Sequence, residues 1–204
     1  MEKKDLIKTI IRNIKNTLPI KIIYYMIDWK TREEIKITKF LKSQIEENKE
    51  ILTQILKEQD LIGNSDDITV INILRWIIDN FEYTSDSIQY KTQEHWSTVK
   101  ESLESMEGDC EDGAILILSL ARVANISDDK IFITAGNVKE GGHSWIRYIS
   151  ENYPYVTFYL DWCYNVDTKI IRQRKAYFDY ENKNFDVKYL KMWFMANDSN
   201  SYKW

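Results

Sequence analysis

Three residue types in this 204-residue chain, a thiol at Cys110, an imidazole at His143 and a carboxylate at Asp161, could together form a nucleophile, its base and the group that orients the base. Cys110 stands in Gly108-Asp109-Cys110-Glu111-Asp112, which runs straight into an apolar stretch over 113–123. There Ala114, Leu118 and Ala121, flanked by Ile117 and Leu120, recur at helical spacing and predict a buried helix. Asp109 is a good N-cap, which puts Cys110 in the first turn. Free backbone N–H groups and the positive dipole end favour a thiolate there. The carboxylates of Asp109, Glu111 and Asp112 oppose it. A cationic partner is needed.

The elements downstream must supply that partner. Gly141-Gly142-His143-Ser144-Trp145-Ile146-Arg147-Tyr148 reads as a loop followed by a strand. Residues 151–154 carry turn chemistry, and 155–162 read as a second strand rich in aromatic and β-branched residues. With the turn centred on Asn152, His143 and Asp161 lie directly opposite each other, their Cβ atoms about 5 Å apart. A one-residue slip would put them on opposite faces, so the pairing depends on register. The structural alternative for Asp161 is an ion pair with Arg147 on the same hairpin.

In this order Cys, His and Asp, with Gly-Asp-Cys before a helix, Gly-His-Ser-Trp on one strand and Leu-Asp-Trp on the next, resemble the transglutaminase-like superfamily of cysteine enzymes. Residues 70–83 are similar to that family's leading helix and following tyrosine, and Trp96 to Glu101 with Leu103 to its segment before the cysteine. The resemblance covers roughly 66–162. It implies an α+β fold with a papain/transglutaminase-like core, a nucleophile helix packed on an antiparallel sheet; the first sixty residues lie outside the resemblance, and their own periodicity adds extra N-terminal helices. It implies Cys110 as nucleophile, His143 as general base and acid, and Asp161 as the group orienting His143. For the oxyanion, Cys110 N–H is the natural first donor. Related enzymes commonly use a second, upstream side chain, which makes Trp96 the candidate with Gln93 behind it; the alternative is that Trp96 simply packs a loop on the core.

Composition bounds the rest. A hydrophobic content of 44% is enough for a full core, and a net charge of −4 argues against an electrostatic nucleic-acid binder. No apolar run approaches the ~20 residues of a membrane-spanning helix. The start of the chain lacks signal-peptide character and there are two cysteines, so a cytoplasmic, reducing setting is expected, with association to a virion as a variant. Cys163 could join Cys110, His143 and Asp161 as a zinc ligand, but no CxxC or HxxxH spacing accompanies them. No metal and no cofactor is expected.

Along the chain, 5–18 reads as an amphipathic helix, 20–29 as an apolar run, and 31–58 as one long helix or two. A Gly-Asn-Ser-Asp turn signal in 61–67 suggests a boundary, dividing a helical extension (1–65) from a catalytic core with C-terminal strands (66–204). Strands are expected at 130–138, 175–180 and 185–194 around a polar turn at 181–184, and His95 on a surface loop.

Three functions fit. One is thiol-dependent acyl transfer on a peptide or protein amide, hydrolysis being favoured over transamidation. Another is a structural or assembly part, for instance of a virion, docking through the N-terminal helices or the aromatic C-terminus (Tyr189, Trp193, Phe194, Tyr202 and Trp204). The last is a small-molecule acyltransferase, which would need a cofactor pocket.

Overall fold

The computed structural model describes residues 37–92, 94–139, 141–152, 157–164 and 189–203. The readings made for 5–18, 20–29, 175–184 and Gln93 fall outside them. Described helices are α1 (Thr38–Glu47), α2 (Lys49–Glu58), α3 (Asp66–Asn80), α4 (Asp86–Gln89), α5 (Val99–Ser105) and α6 (Cys110–Val123). The strands are β1 (Glu82–Tyr83), β2 (Glu107–Gly108), β3 (Ile131–Val138), β4 (Gly141–Ile149), β5 (Thr157–Leu160), β6 (Lys191–Ala196) and β7 (Ser201–Lys203). The fold is α+β, a mixture of helices and an antiparallel sheet ordered β5-β4-β3-β6-β7.

Of the 31–58 stretch, the described part resolves into two helices, broken at Asn48. Helix α3 starts where the turn signal ends, with the Ser65 side chain accepting from the Ile68 N–H. One carboxylate, Asp67, then ties α3 to the end of β4. It accepts from Tyr148 OH (2.8 Å), Ser150 Oγ (2.7 Å), the Glu151 N–H (3.1 Å) and Asn152 Nδ2 (2.7 Å).

Helix α6 is the centre of the molecule. Every residue from Glu111 to Ala121 is buried, because β3 and β4 cover one side and α1, α2, α3 and α5 the others. That explains its apolar residues all round rather than on one stripe. Leu41, Leu52 and Leu56 of α1 and α2 share this core with Ile73, Leu118 and Ile146.

The register of the β4–β5 hairpin differs from the expected one. Ile146 faces Leu160 and Ile149 faces Thr157, two residues from the expected pairing, and β5 ends at Leu160. Asp161 therefore reaches His143 from the turn that follows β5 and not from a position directly opposite it on a strand. Gly141 and Gly142, read as loop, are paired in β4 with Val138 and Asn137. Gly141 takes φ +143°, a conformation that favours glycine, at the tight turn out of β3.

Gly113 sits in the first turns of α6 because Trp162 lies on it. A Cβ there would meet the indole Nε1 at 2.3 Å. Gly113→Ala should therefore destabilise the protein by about 1–3 kcal/mol in urea unfolding, with a shift in tryptophan fluorescence. A helix without this contact would instead gain about 1 kcal/mol from alanine, and that result would refute the packing.

Candidate active site

Asp109 N-caps α6, its own N–H donating to Asp112 Oδ2 (3.2 Å), and Cys110 is the first helical residue, as the sequence implies. Asp112 is fully buried and also takes the Ser97 N–H (2.8 Å), which pins the 96–98 loop to the helix start. The Cys110 thiol donates to Glu111 Oε2 (3.1 Å), while the nearby Ser144 backbone favours the thiolate. Burial and the Glu111 and Asp109 carboxylates outweigh that effect and push the thiol well above its ordinary range. The dipole of α6 does not win alone.

Ser144 directly follows His143, so the same strand that touches the thiol carries the imidazole. His143 Nε2 meets Asp161 Oδ2 at 2.6 Å, with the two residues 8% and 1% exposed. The Trp145 ring lies nearly parallel to the imidazole at 6.1 Å, and Tyr164 meets it edge-on at 5.0 Å. Asp161 Oδ1 takes the Cys163 N–H (3.1 Å). Arg147, the alternative partner, reaches Met195 Sδ and Thr157 Oγ1 instead.

Trp162, the residue after Asp161, donates its indole N–H to the Cys110 carbonyl (3.2 Å). Consecutive residues of one turn thus hold both halves of the site: Asp161 grips the imidazole and Trp162 the start of the nucleophile helix. The Leu-Asp-Trp spacing carried that information. Phe81 and Tyr83 pack on the other side of Trp162, at 5.3 and 5.9 Å.

Trp96 lies on the loop that Ser97 pins to the start of α6. Its ring lies between Phe40 (6.4 Å) and Phe194 (6.1 Å), and among the described contacts none joins its indole to Cys110. Gln93 lies outside the described residues. His95 is half-exposed on a loop, stacked on Tyr90 and 3.7 Å from Glu101.

The sequence shows Asp109, Glu111 and Asp112 beside the thiol but not that Asp86 and Glu94 join them in an acidic cluster. Asp86 of α4 brings a carboxylate oxygen within 4.8 Å of those of Glu94 and Glu111, and likewise of Asp109 and Asp112. Asp86 and Glu111 are 2% and 4% exposed. Asp86 Oδ1, Asp109 Oδ1 and Glu111 Oε1 are buried with no hydrogen-bond partner among the described residues. Such oxygens are costly unless protonated or bound to a cation, and an all-oxygen set suits a hard ion such as calcium. A second group, His143, Asp161 and Cys163, has ligand atoms within 4.8 Å of one another. Its Asp161 and His143 already bond each other.

The profile of a transglutaminase-like domain matches residues 53–166, more than half of the chain. The chain belongs to the transglutaminase-like domain family. No curated protein matches the sequence. Among solved structures it is similar to LapG of Legionella pneumophila in an EGTA-treated form (TM-score 0.54, 15% identity, 84% of this chain and 87% of LapG covered). A calcium-bound form of LapG gives 0.47, 16%, 74% and 87%. A proposed cysteine protease from Cytophaga hutchinsonii gives 0.43, 20%, 59% and 38%. The first of these similarities shows the fold alone.

The cluster makes stability depend on pH in a defined direction. Burial raises the carboxyl of Asp112 to about 6 and that of Asp109, which also faces Glu111, well above its ordinary range. Each binds a proton in the folded protein that the unfolded chain has released above about pH 4. That stabilisation is full below about pH 4 and is lost as pH rises through about 6 and beyond. In chelator, the melting temperature should fall across this window, and Asp109→Asn should flatten the alkaline part. A profile that rises with pH would contradict the assignment.

Proposed function

We propose that the protein is a transglutaminase-like cysteine hydrolase acting on a peptide or protein amide. The observation that carries this is the buried 2.6 Å bond between His143 and Asp161, on a strand whose next residue, Ser144, has its backbone near the Cys110 thiol. With Nε2 engaged by Asp161, Nδ1 is the nitrogen left to take the Cys110 proton. The thiolate attacks the amide carbonyl carbon, and the Cys110 N–H at the helix start stabilises the oxyanion. The His143 imidazolium gives its proton to the leaving amine as the C–N bond breaks, leaving a Cys110 thioester. His143 then deprotonates a water that releases the acid. An amine in place of water would give transamidation. Asp161 fixes the imidazole tautomer and stabilises the imidazolium throughout.

The acidic cluster fits into this reading. Asp86, with Glu94 and Glu111 or with Asp109 and Asp112, would hold a divalent cation through carboxylate oxygens within 4.8 Å of one another. When bound, the ion supplies positive charge beside the thiol and occupies the carboxylates that oppose its ionisation.

The test is incubation of the protein with a complex peptide mixture, followed by mass spectrometry of new termini, in calcium and in EGTA. Cleavage lost in Cys110→Ala and His143→Ala, and stronger in calcium, is the expected outcome. New amide adducts with an added primary amine, in place of cleavage, would show transamidation. No change to any peptide with either acceptor would overturn the enzymatic reading.

A further inference from the structure

We propose that Tyr189 is a positioning residue of the active site, supplied by the C-terminal segment outside the span that matches the transglutaminase-like domain. This rests on the reading of Cys110, His143 and Asp161 as the reacting set. The Tyr189 hydroxyl donates to Asp161 Oδ2 at 2.8 Å, the same oxygen that meets His143 Nε2 at 2.6 Å. Tyr189 is buried, and its ring packs against Trp145 (4.7 Å) and Tyr159 (5.0 Å). Trp145 in turn lies along His143. One side chain therefore supports both partners of the pair, the carboxylate through its hydroxyl and the imidazole through an intervening indole.

The chain path explains how a residue so far along reaches the site. Leu190 N–H donates to the Asn137 carbonyl (2.8 Å), and β6 follows at Lys191 on the far edge of β3. Gly136 lets this strand approach, since a Cβ there would meet the Lys191 carbonyl oxygen at 2.1 Å. Pairing of β6 with β3 thus delivers Tyr189 beneath Trp145. Burial and the neighbouring Asp161 charge keep the phenol far above its ordinary range, so it remains a donor wherever the site works.

The hydroxyl has two effects. It fixes the plane of the Asp161 carboxylate, whose other oxygen holds the Cys163 N–H, so the oxygen facing His143 cannot swing away. It also shares the charge of that oxygen, which sets how firmly the imidazolium is held. The expectation that the aromatic C-terminus forms a docking surface does not extend to this residue.

The test uses the full-length protein with calcium and 2,2′-dipyridyl disulfide as the thiol probe. The rate at Cys110 is followed from about pH 4 to about pH 9 by peptide mass spectrometry. The wild type should show an acid limb, due to thiolate held by the imidazolium. Tyr189→Phe, which keeps the ring, should leave the fold intact by circular dichroism and lower the acid-limb rate about tenfold. Added to His143→Ala, the same change should have no further effect. An acid limb unchanged in Tyr189→Phe, or an equal loss in the His143→Ala background, would overturn the positioning role and leave the triad standing. A wild type without the limb, its thiol titrating near about 8.5, would overturn both.

Discussion

A thiolate at the start of α6 has to exist among carboxylates, and the rest of the site answers that constraint. The helix dipole is worth at most about 2 kcal/mol in favourable settings. Here burial and Glu111 act the other way, and the thiol proton lies toward Glu111 Oε2 rather than being lost. Ionisation therefore needs positive charge from elsewhere. In the proposed reading His143 supplies it on accepting the thiol proton, and the partnerless oxygens of Asp86, Asp109 and Glu111 mark where an ion could add to it.

The architecture brings those charges together by short routes. Strand β4 brings the Ser144 backbone near the thiol and the His143 ring to Asp161. The turn after β5 contributes Asp161 and Trp162 as neighbours, so any movement of that turn shifts the imidazole and the nucleophile helix together. Gly113 is the concession on α6 that lets Trp162 lie close enough. From the other edge of β3, the C-terminal strands add Tyr189. Most of these contacts are made by groups that are themselves buried, which suits a site where misplacement by an ångström is costly.

Much of this was legible in the sequence because the signals are local. The Asp109 cap, the apolar run of α6 and the alternation of β4 and β5 each lie within one element. The expected register differs from the observed one by two residues because turn residues in 151–154 do not mark a unique centre, and Asp161 meets His143 from the turn after β5. The Trp96 expectation came from resemblance, whereas its ring fills a gap between Phe40 and Phe194. Asp86 and Tyr189 were not legible as site residues. Each reaches the site through packing of distant elements, which no short-range pattern encodes. Gly113 was the clue left unused: a glycine inside an apolar helix commonly marks a close approach.

The most direct measurement of the account is the alkylation rate of Cys110 by iodoacetamide against pH, with Cys163 as the internal reference, in calcium and in EGTA. The account predicts that in calcium Cys110 stays reactive below about pH 6, and that His143→Ala and Asp161→Ala each remove this reactivity. A Cys110 that titrates near the free-thiol value of about 8.5 in both conditions, unaffected by loss of His143, would contradict it.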